Sequence, residues 1–294
     1  GKTWRWDYER FNDDLCSAAA ADNCYNHPKR CRVTGPYDTS NGTLAPSTTV
    51  YTYEATKASA TTPGPKDGTL TSVEVYAGPE NAGQLVRKTS FEYEFDAPQA
   101  GTCGVGTSYF KDHYADNIRT TKVTTALSFE ADGTTAHDVR VVENTNWVML
   151  TQNFGRFQRT NEYGPTAAVL YRSTASGFAL TQAQKDAWVL TPVSWMRVLD
   201  FNGNPLAETN YAFDQYGRLL TARQLYSPGA SQQLTSPNDL LTSYGYDPIN
   251  GNQNRRDATV PARSRTFTQL TEAWQAGLPS KQRADGLAAA WYTL

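Results

Sequence analysis

Isoleucine, methionine and histidine are scarce in this 294-residue chain: two Ile (Ile118 and Ile249), two Met and three His. Long apolar runs are missing too. No stretch approaches the roughly 18 to 20 apolar residues that a membrane-spanning helix requires, so no such span is expected. Neither sign of charge dominates, since 27 Lys and Arg against 29 Asp and Glu leave a formal net charge of −2. That balance offers no basic face to nucleic acid and argues against charge-driven expansion of a disordered chain. The amino terminus lacks the charged, apolar and small-residue succession of a signal peptide. Gly1 starts inside a strand-like pattern and Leu294 follows the aromatic pair Trp291-Tyr292, so the expectation is a segment of a much larger repeat polypeptide.

What the chain has is aromatic residues, 17 Tyr, 11 Phe and 7 Trp, arranged in a recurring phrase. Two aromatics one apart precede an acidic residue, and a Gly or Asn follows a few positions on. The clearest copy is Tyr211-Ala-Phe213-Asp214-Gln-Tyr-Gly217-Arg218-Leu219, and a second is Tyr244-Gly-Tyr246-Asp247-Pro-Ile-Asn-Gly251-Asn252. Degenerate copies read Trp4-Arg-Trp6-Asp7, Tyr51-Thr-Tyr53-Glu54 and Phe91-Glu-Tyr93-Glu-Phe95-Asp96. Recurrence along the chain marks construction and not a single active site. Residues one apart in a strand share a face, so Tyr211 and Phe213 place two rings on one side of a sheet. The Asp accepts from backbone N–H groups two residues on and starts the turn. The Gly then supplies the positive φ of a tight hairpin. Asp200 and Gly203 stand fourteen residues before Asp214 and Gly217, a spacing that suits strand, turn and strand in succession. Thr, Val, Tyr, Phe and Trp dominate the patterned stretches, and the pattern predicts an all-β fold of repeated antiparallel β-hairpins added edge to edge.

These residues resemble the YD-repeat or Rhs-repeat family, which includes bacterial polymorphic-toxin shells, B and C subunits of insecticidal toxin complexes, and teneurins. The family unit is roughly Tyr-Asp-x-x-Gly-Arg-Leu. Phe213 to Leu219 matches it with Phe in place of Tyr, and Tyr246-Asp247 with Gly251 matches with an expanded turn. The opening Trp4-Arg-Trp6 is similar to the strand that leads into such a unit. The resemblance implies a spiralling sheet that forms part of a hollow β-shell, enclosing a toxin or other cargo in a secreted or cell-surface protein. The implied partners are the remaining repeats of the same polypeptide and an enclosed toxin domain. The residues that matter are then architectural: Tyr211, Phe213, Asp214, Gly217, Arg218, Tyr244, Tyr246, Asp247, Gly251, Asp200, Gly203, Trp4 and Trp6. An extracellular adhesin or carbohydrate-binding β-repeat module, with glycans as partners, is the alternative. It would stack sugars on the aromatics, but aromatic pairs at alternate positions are also what cross-strand stabilisation demands.

Along the chain, the whole of 1–294 reads as one repeat segment. Residues 1–15 read as a first hairpin, with Tyr8 to Asn12 a worn repeat. Residues 16–48, carrying Cys16, Cys24 and Cys31, read as an insertion or loop, with a short helix over Leu15 to Asp22. Strand signals follow at Thr48 to Glu54, Leu70 to Tyr76 and Phe91 to Asp96, with an Asp67-Gly68 turn between the first two. A Gly-rich excursion covers 97–120. Lys122 to Glu130 and Asp138 to Asn144 form a hairpin around Asp132-Gly133. Thr181 to Trp188 predicts a helix opened by a capping box from Thr181 and Gln184. A second short helix is predicted over Leu270 to Ala276, ended by Gly277 and Pro279.

The chemistry of catalysis is thin, and no enzyme activity, cofactor or metal is expected. His27, His113 and His137 fit no nucleophile or metal pattern, and Lys111-Asp112-His113-Tyr114 reads as a solvated loop. Asp96, Asp200, Asp214 and Asp247 each read as the cap of their own turn rather than as paired carboxylates for glycoside hydrolysis. Asp247-Pro248-Ile249-Asn250-Gly251 lacks the Gly-Leu of the autoprotease found in the family it resembles. Cys103 lies far from the other three Cys, so disulfides, a zinc site using His27, and free thiols all stay open, although the tight Cys-x-x-Cys knuckle of a strong zinc site is missing. Asn41-Gly42-Thr43 has the form of a glycosylation acceptor and reads as a turn.

Overall fold

A computed structural model describes residues 2–10, 28–38, 47–54, 69–96, 116–130, 133–151, 154–229, 236–275, 278–285 and 290–293. The fold is all-β, built from antiparallel strands joined as hairpins. The chain divides into two compact units, Gly1–Thr145 with Asn161–Tyr171, and Asn146–Thr160 with Arg172–Leu294.

In the first unit, β1 (Lys2–Arg10), β2 (Pro28–Asp38), β3 (Thr48–Tyr53), β4 (Leu70–Ala77), β5 (Gln84–Asp96), β6 (Asp116–Phe129) and most of β7 (Ala136–Thr151) follow one another. Each pairs antiparallel with the next. The register carries one row straight across the strands: Asp7, Arg32, Val50, Glu74, Lys88 and Ala126. On that row the Glu74 carboxylate accepts from Lys88 Nζ at 2.8 Å and from the Tyr76 hydroxyl at 2.8 Å. Burial pushes the Tyr76 phenol up, and the neighbouring Glu74 adds to it, to about 12. Cross-strand polar pairs of this kind each contribute about 0.2–1 kcal/mol. They matter here because, among the described residues of this unit, the buried apolar side chains are few: Cys31, Val33, Val50, Leu85, Phe129 and Val141.

The second unit contains most of β8 (Phe154–Tyr163) and β9 (Leu170–Gly177), then α1 (Gln182–Asp186), β10 (Trp195–Leu199), β11 (Pro205–Phe213) and β12 (Leu219–Gln224). β13 (Leu240–Tyr246), β14 (Gln253–Val260), β15 (Arg265–Gln275), β16 (Leu278–Asp285) and β17 (Ala290–Thr293) complete it. From β9 onward each strand again pairs antiparallel with its successor. The predicted capping box is present in α1, where Thr181 Oγ1 accepts from Gln184 N–H at 3.2 Å and Gln184 Oε1 accepts from Thr181 N–H at 2.9 Å.

Four expectations change. Leu270 to Gln275 lie in strand β15 and not in a helix, because Leu270 pairs with Arg255 on one side and Arg283 on the other. Two flanking ladders outweigh the modest helix preference of Leu, Glu and Ala. Residues 28–38 of the 16–48 insertion form β2, the partner of β1, despite Gly35-Pro36. Gly35 sits where a Cβ would lie 2.7 Å from the Trp4 ring, so the apparent breaker is a close-packing position. Of the first hairpin expected over residues 1–15, the described residues, Lys2–Arg10, form the single strand β1, whose partner is β2. Residues 116–120 of the Gly-rich excursion open β6. Cys16, Cys24, Cys103, His27, His113, the Asp67-Gly68 turn, Asn41 to Thr43 and most of the Leu15 to Asp22 helix and the 97–120 excursion lie outside the described residues.

Candidate functional site

The Asp and Gly residues of the clearest repeats fall in three turns of the second unit, which share one hydrogen-bond design. At the first, Asp200 Oδ1 accepts from the N–H groups of Asn202 at 2.9 Å and Asn204 at 2.7 Å. At the second, Asp214 Oδ1 accepts from Tyr216 and Arg218 N–H, both at 2.9 Å. At the third, Asp247 Oδ1 accepts from Ile249 N–H at 2.7 Å and Asn250 N–H at 3.2 Å. In each turn the Gly N–H donates back to the Asp carbonyl: Gly203 at 3.1 Å, Gly217 at 3.1 Å and Gly251 at 2.9 Å. Their φ values are +84°, +79° and +74°, the left-handed conformation that an L side chain resists. Gly217 is constrained twice, because a Cβ there would lie 2.5 Å from Val189 Cγ1.

These hydrogen bonds lower the proton affinity of Asp200 and Asp214. The Asn204 side chain is the largest influence on Asp200 and lowers its pKa; burial comes next and raises it, and the N–H groups of Asn204, Asn202 and Gly203 add to the lowering, so the group ends below the usual carboxylate range. For Asp214 burial is the largest single influence and raises the pKa. The N–H groups of Arg218 and Tyr216 with the Arg218 guanidinium together outweigh it, so the group ends below its ordinary value.

Arg218 joins two turns. Its Nε donates to Asp214 Oδ2 at 2.6 Å, and its guanidinium lies 5.2 Å from the Tyr216 ring centroid and 5.0 Å from that of Tyr246. Both separations fall within cation–π range. Tyr246 in turn donates its hydroxyl to the Leu219 carbonyl at 2.8 Å, clasping the first residue of β12 from the end of β13. The first unit repeats the clasp: Tyr93 of β5 donates to the carbonyl of Leu70, the first residue of β4, at 2.8 Å. The pairings that close the hairpins also correspond, with Leu199 opposite Pro205, Phe213 opposite Leu219, Tyr246 opposite Gln253 and Tyr53 opposite Leu70, each after a register shift. Tyr211 and Phe213 lie side by side with ring centroids 6.3 Å apart, and Tyr244 faces Arg256.

The degenerate copies fare differently. Trp4 and Trp6 lie on one face of β1, each 57% exposed, and Asp7 is mid-strand, accepting from Arg5 Nε at 2.9 Å instead of capping a turn. Asp96 at the end of β5 accepts from Arg119 Nη1 at 2.9 Å. Cys31 is a buried free thiol. Among the described residues, no three His, Cys, Asp or Glu converge to hold a metal ion, and no helix is long and apolar enough to cross a membrane.

Two partners were not foreseen. Gln184, buried in α1, donates through Nε2 to the Asp214 carbonyl at 3.0 Å, so the 181–192 segment covers the second turn. The capping box signalled that helix but not its target. Glu208 is 1% exposed, opposite Arg197 in the register, and accepts from Arg197 Nε at 2.8 Å and Gly229 N–H at 3.2 Å. A lone Glu in an alternating strand carries no sign of that burial.

No protein-family model and no curated protein matches the chain. Among solved structures, a porin-like protein from Bacteroides uniformis ATCC 8492 aligns at 10% identity and TM-score 0.32, over 90% of this chain and 94% of that one. A chain of the TcdB2-TccC3-Cdc42 structure aligns at 11% identity and TM-score 0.31, over 100% of this chain and 15% of its own length. A TcdB2-TccC3 chain aligns at 12% identity and TM-score 0.30, over 91% and 16% respectively. These similarities are too weak to assign the chain to any of them.

Proposed function

We propose that the chain is a wall segment of a larger repeat protein, a β-shell that encloses a toxic domain or other polypeptide cargo until delivery outside the producing cell. The observation that supports this reading is the recurring turn-and-clasp unit, which lets a sheet grow by adding hairpins without a new core for each. The same unit speaks for a structural and not a catalytic role. Asp200, Asp214 and Asp247 each turn an oxygen to the N–H groups of their own turns, the part of a turn cap. Large apolar side chains such as Phe201, Tyr216 and Ile249 stay exposed at the turn tips, and further repeats of the same polypeptide are the partners proposed to lie alongside the strands.

The test is protease protection of the native gene product. A product much longer than 294 residues should contain a segment that resists cleavage while the wall is intact and is cut once a cleavage site introduced at the Asp247 turn has been opened. A native product no longer than this chain, or a partner segment cleaved at the same rate before and after, would overturn the reading.

A further inference from the structure

The second unit carries a shallow hollow of about 320 Å³ that the turn design does not use. Asn210 of β11, Arg223 of β12 and Leu241 of β13 stand directly opposite one another in the register and so share one face of the sheet. Ala212 and Thr221, the next opposed pair on that face, are shorter, and the hollow takes the room they leave beside the longer side chains.

Arg223 decides which ligand chemistry fits. The side chains of Arg223, Asn210 and Thr221 are half-buried, so solvent reaches them, and none has a hydrogen-bond or ion-pair partner among the described residues. Other arginines of this unit are met within the fold: Arg197 by Glu208, Arg218 by Asp214 and Arg255 by Asp257. The carboxylates nearest to Arg223 along the strands are committed elsewhere. Glu208 accepts from Arg197 and Gly229 N–H, Asp239 from the N–H groups of Tyr226 and Ser236, and Asp257 from Arg255 and the Thr268 hydroxyl. The hollow is left with one unbalanced positive charge, flanked by an amide and a hydroxyl that both donate. A guanidinium fork matches the two oxygens of a carboxylate, and Leu241 with Ala212 offers an apolar bed to the carbon body beside it. One guanidinium balances one negative charge, so a phosphate dianion would bring an excess toward Glu208 and Asp239. The volume lies at the lower end of small-molecule sites, about 300–1,000 Å³, which suits a short ligand.

We infer that this hollow binds a monocarboxylate with a small apolar body, held by Arg223, Asn210 and Thr221 at the carboxylate and by Leu241 at the body. The site does not depend on the wall reading, and either can fail without the other. The probes are 4-methylpentanoate, a free acid, and N-acetyl-leucine, which presents the same body as a polypeptide carboxyl terminus does. Each is paired with its neutral primary amide and titrated into the 294-residue chain, with binding followed by ligand-observed NMR. At least one acid should saturate while its amide does not, and the acid that binds more tightly identifies the source. Arg223→Gln should weaken binding by about tenfold or more, the equivalent of a hydrogen bond to a charged group. Arg223→Lys keeps the charge without the fork and should fall between the two. Thr221→Val, which keeps the side-chain shape, should weaken binding by about fivefold, the equivalent of one neutral hydrogen bond. Arg256 is also without a partner among the described residues but lies on the opposite face, in register with Tyr244, so Arg256→Gln should leave binding unchanged. Absence of saturation by both acids would overturn the site, as would amides that bind as tightly as the acids or phenyl phosphate that binds more tightly than either. So would Arg223→Gln without effect, or Arg256→Gln with an equal one.

Discussion

A single aspartate side chain organises each repeat turn, and at Asp200 and Asp214 the turn in return lowers the proton affinity of that side chain. At Asp214, one oxygen gathers two backbone N–H groups and the other takes the Arg218 guanidinium. A carboxylate whose folded pKa is depressed stabilises the fold above its unfolded pKa, about 3.9, and that contribution is lost as pH falls through the lower folded value. Asp214 and Asp200 are both depressed, so the contribution should be complete at pH 6 and fade below about pH 4. In Asp214→Asn the amide cannot carry the charge. Melting temperatures of the two proteins should therefore differ at pH 6 and converge as pH falls below 4. A gap that stayed constant from pH 6 to pH 2.5 would mean that the turn uses the shape of Asp214 and not its ionisation.

At the scale of the hairpin, the tyrosine clasp ties one strand pair to the next. Tyr246 holds the start of β12 through its hydroxyl and flanks Arg218 with its ring, whereas Tyr93 holds the start of β4 through its hydroxyl. Tyr246→Phe keeps the ring over Arg218 and removes one hydrogen bond, so it should cost about 1 kcal/mol in chemical denaturation. Tyr246→Leu removes the ring as well and should cost about 0.5–1 kcal/mol more. Equal losses in the two variants would assign the whole effect to the hydroxyl. Much of this element was legible in the sequence: the aromatic pair, the Asp acting on N–H groups two residues on, and the Gly at positive φ follow from local rules that need no neighbour. The clasp was not, because it joins Tyr246 to a carbonyl 27 residues away, and nothing local distinguishes a tyrosine that reaches back from one that stays on its face. Leu270 to Gln275 failed for the same reason. Their helical pattern is local, and the ladders to Arg255 and Arg283 that override it are not.

For the molecule as a whole, strands that pair mainly with their sequence neighbours make stability a sum over adjoining hairpins, as in other repeat architectures. Damage to one hairpin should then spread to its neighbours and fade beyond them. Gly217 is the place to test this, since its φ of +79° and the 2.5 Å approach of Val189 both oppose a larger side chain. Gly217→Val should destabilise by about 1 kcal/mol or more through backbone strain alone, and displacement of Val189 would loosen the 181–192 cover as well. Hydrogen exchange of the variant should accelerate in α1 and in β10 to β14, the hairpin of the Asp214 turn and the strands adjoining it, and remain unchanged in β2 to β5 of the other unit. A uniform rise in exchange across both units would show one cooperative core in place of a chain of hairpins. In that event, wall construction by successive addition would lose its physical basis.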